Sequence, residues 1–464
     1  MVRVALLVAL VSLAAGFQEP RLADRIEAAA ARAGVSGGRL GILIYSTQAK
    51  APVFDRDAKK VFRLASNTKL ITTACAIAKL GPGYQFRTTL AWDDSGDLHV
   101  FGAGDPLIGG RLHGDDPTKL FRDAAARLKE AGQSAFTGRL VLHPGIFDDV
   151  PLHPAWIDAK HDQDAWWCAP VGGLSFNDNC IDLVYEGAAS PGEPVRITPR
   201  PGTRYITMDN RATTVRARPK DFGFVRKNGT NLIIANGELA AGAKPRVAWV
   251  AIKDPARYFG TVLRETLAHE GIPIAGEMVV DPSLRLETKH TEILLAEHSL
   301  EEAVGPCNTV SQNLYAEMIL KLLGFRFRGT GSTAAGIEVV QEFLRTEVGI
   351  TDVELTDGSG LARDNKASPE SMVALLTYMR NHRHGRAFVD SLAVGGATGT
   401  LKERMEKTGG RVKAKTGSIA GVSTLSGYAE SASGELYIFS ILANDWRKGS
   451  PRDLQDSLGE LLSK

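Results

Sequence analysis

Ser66 and Lys69 stand three residues apart at the head of Ala65-Ser-Asn-Thr-Lys-Leu-Ile-Thr-Thr-Ala-Cys-Ala-Ile-Ala-Lys-Leu80, a run of small and apolar residues at helical spacing that stops at Gly81-Pro82-Gly83. On a helix, positions three apart share a face, so hydroxyl and amine come within reach of each other. The chemistry on offer is nucleophilic catalysis, with the lysine as base for the serine. An ordinary lysine is protonated at neutral pH and cannot serve, so its surroundings must be dry or positively charged enough to depress its pKa. A second cation is therefore expected close by. Ser66 is the one serine in the chain followed by lysine three residues later. Taken alone, the pair reads more simply as an N-capping serine beside a solvated lysine.

Two further triplets supply what that pair lacks. Ser311-Gln312-Asn313, in the helical stretch Asn308-Thr-Val-Ser-Gln-Asn-Leu-Tyr-Ala-Glu-Met-Ile-Leu320, places a hydroxyl and an amide two positions apart. Such a pair faces a cleft if it falls at a helix start or break; its simpler role is capping, as for the same pattern at Ser175-Phe176-Asn177. Lys415-Thr416-Gly417 lies in the alternating, strand-like Arg411-Val-Lys-Ala-Lys-Thr-Gly-Ser-Ile419. There the glycine lets a substrate backbone pair against a strand edge, and Lys415 is the required cation. Lys407-Thr408-Gly409 repeats the letters but runs into Gly410, so it reads as a turn and a decoy.

Taken together, the sequence resembles the penicillin-binding, serine-type D-Ala-D-Ala carboxypeptidases, which use Ser-x-x-Lys, Ser-x-Asn and Lys-Thr-Gly in that order. Asp357-Gly-Ser-Gly-Leu-Ala-Arg363, Gly399-Thr-Leu-Lys-Glu-Arg-Met405, the segment from Ala414 to Tyr428 and Gly102-Ala-Gly-Asp-Pro106 resemble the subgroup with a long insertion, the low-molecular-mass class C carboxypeptidase/endopeptidases. The resemblance covers nearly all of the mature chain. Two positions depart from the pattern: Gln312 stands where aspartate is common, and Ala362 where serine is usual.

The resemblance implies acyl transfer from the D-Ala-D-Ala peptide of peptidoglycan to Ser66, then hydrolysis of the acyl-enzyme. Lys69 would be the general base, Ser311 the relay to the leaving nitrogen, and Asn313 a holder of Lys69 and the substrate amide. Lys415 and Thr416 would grip the substrate carboxylate. The backbone N–H groups of Ser66 and of Ser418, next to Gly417, would form the oxyanion hole. β-Lactams should acylate Ser66 and leave slowly. No cofactor or metal is called for. A free diaminopimelate end on the stem peptide carries a carboxylate and an ammonium; Arg363 suits the first, and Asp162 or Asp164, beside Trp166 and Trp167, the second.

These residues need elements to position them. Leu22 to Ala33 reads as a helix, Gly38 to Tyr45 and Pro52 to Phe54 as a strand pair, 88 to 285 as mostly short strands and turns with a helix at Ala256 to His269 and a strand at Glu277 to Val280, and 299 to 381 as mostly helical. Strands and a last helix close the chain. The expected fold is α+β: an antiparallel sheet with helices, of the penicillin-binding and serine β-lactamase type, interrupted by inserted β-rich domains. Ser66 and Ser311 lie 245 residues apart, too far for a loop within one compact domain. The expected division is a signal peptide at 1–16, a discontinuous catalytic domain at 17–87 and 286–464, a second domain at 88–169 and 255–285, and a third at 170–254.

Composition bounds the rest. The 464 residues carry 55 Lys and Arg against 53 Asp and Glu, a formal net charge of +2, so no chain-wide field exists to hold nucleic acid or an anionic membrane. Val4 to Gly16 is a short apolar run ending in small residues, a secretory signal by pattern and too short to span a bilayer, so an exported protein without a transmembrane span is expected. Four cysteines include no CxxC, and no His-Glu-x-x-His motif occurs, which leaves zinc without support. Cys168 and Cys180 either pair as a disulfide or remain small buried thiols. Two other classes share parts of the pattern: a serine β-lactamase, set apart by how fast a penicilloyl-enzyme turns over, and a non-catalytic wall-binding protein, set apart by labelling with penicillin. The oligomeric state is left open.

Overall fold

The computed structural model describes residues 21–110, 114, 116–156 and 164–464. The signal-like segment 1–16 and Asp162 lie outside the described residues. The fold is α+β. A six-stranded antiparallel sheet takes strands from both ends of the chain, in the order Ala393–Val394, Val412–Ile419, Val422–Glu430, Leu436–Asn444, Arg39–Ser46 and Ala51–Arg56. Side chains alternate across it. Ile42, Ile44, Phe439 and Ile441 pack under the terminal helices Leu22–Ala33 and Pro451–Leu462, while Leu43, Ile438 and Leu442 pack against the helical layer on the other side.

That helical layer holds Thr68–Leu80, Leu300–Thr309, Asn313–Arg328, Thr333–Phe343 and Pro369–Asn381. Thr68–Leu80 is buried along nearly its whole length, which its small residues allow: Ala74, Cys75, Ala76 and Ile77 are inaccessible to solvent. It is the central helix of the layer, and Lys69 lies in its first turn.

Between the two sets of strands in that sheet the chain builds a mixed five-stranded sheet, ordered Met278–Val280, Leu140–His143, Leu98–Phe101, Gln85–Trp92 and Thr291–Ser299. Helices Lys119–Glu130 and Pro255–His269 cover it through Phe121, Leu128, Phe259 and Leu263. The first of these helices lies in the stretch expected to be strands and turns. Residues 180 to 251 form three small sheets around a minor core of Val195, Ala212, Ala235 and Leu239.

The Cys168–Cys180 disulfide does not form: all four cysteines are buried, with no disulfide among the described residues. Cys168 packs into the core that contains the Ser66 helix, whereas Cys180 opens a strand and packs with Ala169 and Ala251, so the two side chains serve different clusters. No helix among the described residues is long and apolar enough to cross a membrane.

Candidate active site

Ser66 sits in a single 3₁₀ turn, Ala65–Asn67, that leads directly into helix Thr68–Leu80. The turn begins with Ala65 at φ +46°, a left-handed conformation that costs an alanine about 1–2 kcal/mol. Its neighbours hold it there. Thr68 Oγ1 donates to the Ala65 carbonyl at 2.8 Å, and Gly360 lies so close that a methyl group on it would stand 1.8 Å from the same oxygen.

Lys69 is fully buried, and its Nζ donates to Ser66 Oγ at 3.0 Å, Asn313 Oδ1 at 2.6 Å and the Ser359 carbonyl at 2.7 Å. The ammonium thus has three acceptors and is closed to bulk solvent. Burial lowers its pKa to about 8, against the opposing pull of Cys307, Asp357 and Glu317. The expected second cation is present, since Lys415 is also fully buried, but dryness is the first cause of the shift on Lys69. Lys415 itself is pushed well below the ordinary lysine range, by burial first and by Lys69 second.

Ser311 falls in a break between two helices, Leu300–Thr309 and Asn313–Arg328, rather than inside one. Its φ of +66° turns the chain sharply. Ser311 Oγ accepts from Lys415 Nζ at 2.8 Å, and Lys415 also donates to the Thr416 carbonyl at 2.8 Å. Asn313 presents its carbonyl to Lys69 and donates from Nδ2 to the Trp167 carbonyl at 2.8 Å, a tie to the inserted segment. Gln312 points elsewhere, donating to Asp178 Oδ2 at 3.0 Å.

The Lys415 triplet lies on strand Val412–Ile419, whose outer neighbour, Ala393–Val394, pairs only with Lys413 and Ala414. Beyond Ala414 that edge has no strand partner among the described residues. Gly417 brings the strand against the nucleophile: a methyl group there would lie 3.0 Å from Ser66 N, 2.8 Å from the Leu64 carbonyl and 2.2 Å from Thr424 Oγ1. Thr416 Oγ1 bonds Thr400 Oγ1 at 2.8 Å, and Ser418 is exposed. Lys407 occupies a 3₁₀ turn, its side chain 83% exposed near Glu460.

Ser66, Ser311, Asn313, Ser418 and Arg363 line one cleft of about 630 Å³ together with Trp156, Trp166 and Trp167. Arg363 is exposed at its mouth and donates to the Ala420 carbonyl at 2.7 Å. Asp164 does not join it: its carboxylate accepts from the Arg226 backbone N–H at 3.0 Å, within the inserted strands. Of the two acids expected beside the tryptophans, Asp164 is thus taken up by its own sheet, and Asp162 is outside the described residues.

One part of the site escaped the sequence analysis. Asp357 accepts from Gly360 N, Ala362 N and Asn365 Nδ2 and from the Trp156 indole at 2.9 Å, which folds the Asp357-Gly-Ser-Gly-Leu segment into a tight loop. Glu317 accepts from Gly358 N and Ser359 N and aims the Ser359 carbonyl at Lys69. Burial, followed by the neighbouring Asp357, raises Glu317 to about 8. A signal existed: Glu317 stands one helical turn after Asn313, on the same face.

An antiparallel sheet flanked by helices, with a serine-lysine turn pressed against an open-edged strand, is the fold of the penicillin-binding proteins. Penicillin binding protein 4 (dacB) from Haemophilus influenzae superposes with a TM-score of 0.78 at 22% identity, over 94% of this chain and 98% of its own. The same Haemophilus protein complexed with a β-lactam superposes with a TM-score of 0.72. Residues 22–464 match the D-Ala-D-Ala carboxypeptidase 3 (S13) family, and the chain belongs to that family. A D-alanyl-D-alanine carboxypeptidase from Actinomadura sp. (strain R39) is 30% identical, over 97% of this chain and 86% of the relative. A D-alanyl-D-alanine carboxypeptidase DacB from Haemophilus influenzae is 24% identical, over 89% and 87%.

Proposed function

We propose that this protein is a serine-type D-Ala-D-Ala carboxypeptidase acting on peptidoglycan stem peptides through an acyl-enzyme on Ser66. The observation that carries this reading is the fully buried Lys69, 3.0 Å from Ser66 Oγ and with its pKa lowered to about 8. Near neutrality a usable fraction of such an amine is the free base. It takes the Ser66 proton as Oγ attacks the carbonyl carbon of the penultimate D-alanine, and proton transfer of this kind contributes roughly 10² to 10⁴ in rate. The backbone N–H groups of Ser66 and Ser418 stabilise the oxyanion. As the carbon–nitrogen bond breaks, Ser311 passes its hydroxyl proton to the leaving amine and takes one from Lys415 Nζ, which donates to it at 2.8 Å; water then cleaves the ester, its oxygen bonding to the acyl carbon and one of its protons restoring the Ser66 hydroxyl. Lys415 and Thr416 hold the terminal carboxylate, and Asn313 orients Lys69 and the substrate amide.

The insertion makes cleavage of cross-linked peptides part of the same proposal, with inserted units at 88–169 with 255–285 and at 170–254. Arg363, exposed at the cleft mouth, is proposed to bind the carboxylate of a free diaminopimelate end. The sequence of residues 1–16 supports export to the cell envelope, and protein recovered from it should begin near Phe17 or Gln18; an intact Met1 would refute this. The decisive test is a penicillin adduct, expected on the peptide containing Ser66 and absent in Ser66→Ala. An adduct on Ser311 or Ser359 would overturn the assignment, and rapid turnover of the penicilloyl-enzyme would make the protein a β-lactamase. Incubation with purified muropeptides then reads loss of D-alanine, or cleavage of cross-links, by mass.

A further inference from the structure

Beside the Ser66 cleft lies a second chamber of about 360 Å³, and the two share Trp166 and Val310 as a common wall. Leu107, Ile108, Trp249, Trp166 and Val310 form its apolar side, and Asn177, Asp178 and Asp182 line the remainder with Gln312. Trp166 and Trp249 meet edge to face with ring centroids 6.5 Å apart, yet they remain 37% and 51% exposed. Val310 is 41% exposed, so three large apolar side chains around one opening are left in water. Exposed apolar groups grouped around a concavity, rather than scattered, mark a place where something binds.

Gln312 forms part of the chamber wall, and its unmatched acceptor lies beneath the surface. Gln312 is 2% exposed and its Nε2 is committed to Asp178, but its Oε1 is buried without a hydrogen-bond partner. Exchanging the amide oxygen and nitrogen would set two oxygens against each other at Asp178, so the acceptor is correctly placed. Gln312 is also the residue between Ser311, at the leaving nitrogen, and Asn313, so a chain carried by that nitrogen leaves the cleft past Val310 and Gln312.

We propose that this chamber receives the second peptide arm of a cross-linked substrate, the arm attached to the leaving nitrogen, with that arm lying against Trp166 and Trp249. The inference rests on the proposed peptidase reading and deepens it. An extended peptide fits the features, because its small apolar side chains can cover the indoles. A single D-alanine leaving group would not reach the chamber.

Binding separates this from the chemistry. On Ser66→Ala, which cannot turn substrate over, calorimetry compares a cross-linked muropeptide dimer with the corresponding monomer. The dimer should bind more tightly by roughly fivefold, the size of one aromatic contact. Adding Trp249→Ala should abolish that advantage without weakening the monomer, whereas Trp249→Phe should keep most of it. Equal affinity for dimer and monomer, or an advantage that survives Trp249→Ala, would overturn the proposal. The penicillin adduct on Ser66 in the otherwise unaltered protein is an independent readout, so failure of the chamber and failure of the peptidase reading cannot be confused.

Discussion

The chain contains the tripeptide Lys-Thr-Gly twice, eight residues apart, and the two copies have opposite fates. Lys415 is fully buried on strand Val412–Ile419, bonded to Ser311 and repelled by Lys69. Lys407 projects from a 3₁₀ turn into water, 83% exposed. The glycines differ likewise: Gly409 takes φ +59° to end a turn, whereas Gly417 is needed because no side chain fits between its strand and Ser66. The contrast teaches that the three letters carry no chemistry of their own. A lysine becomes part of the site when strand pairing buries it among polar partners, where it can donate to Ser311.

The contrast can be broken at its most demanding point by removing the other buried lysine. Lys69→Ala should lower penicillin acylation by about 10² to 10⁴ while far-ultraviolet circular dichroism stays unchanged, because the base is lost and the helix is not. Lys415→Ala comes next. Losing a charged hydrogen-bond donor is worth about 1.5–3 kcal/mol, so the second-order acylation constant should fall roughly tenfold to a hundredfold. A comparable fall in Lys407→Ala would reverse the roles of the two copies.

The pH profile sharpens the same point. The folded-state pKa of Lys69 is lowered to about 8, and only the neutral amine accepts a proton. Acylation should therefore rise with pH and level off above about 8, losing nearly tenfold for each unit well below it. A flat profile between pH 6 and 9 would remove Lys69 as the base.

Gly417→Ala should reduce stability by about 1–3 kcal/mol in urea melts through overpacking against Leu64 and Thr424, with a parallel loss of acylation. Smallest of all is Lys407→Ala, expected within about 0.5 kcal/mol of the parent stability and with acylation unaltered, as for other exposed substitutions.

The helix after Ser66 was legible because small and apolar residues at helical spacing end at Gly81-Pro82-Gly83. The strand carrying Lys415 was legible through its alternation. Less legible was the break at Ser311. Gly305, Pro306, Asn308, Thr309 and Val310 are weak helix formers that allow a break without fixing it at Ser311, and the left-handed turn there is held by tertiary contacts, in which Asn308 donates to Thr73 and Ser391 while Asn313 is tied to Trp167. Cys168 and Cys180, twelve apart in sequence, looked close enough to pair, but packing assigns them to separate clusters. Asp164 sits beside the tryptophans in sequence and turns to a backbone N–H of the inserted sheet instead.

By itself the sequence determined which side chains could take part: a hydroxyl and an amine three apart on a helix, a second hydroxyl with an amide, and a lysine on an alternating strand. Side-chain type and local periodicity are properties of a few neighbouring residues, so a linear reading reaches them. Only the tertiary structure decided that Lys69 is dry, that Ser66 lies against Gly417, that the Ser359 carbonyl and Glu317 complete the lysine's shell, and which Lys-Thr-Gly is buried. Desolvation and close backbone approach depend on segments hundreds of residues apart meeting at one point, and no local pattern encodes them.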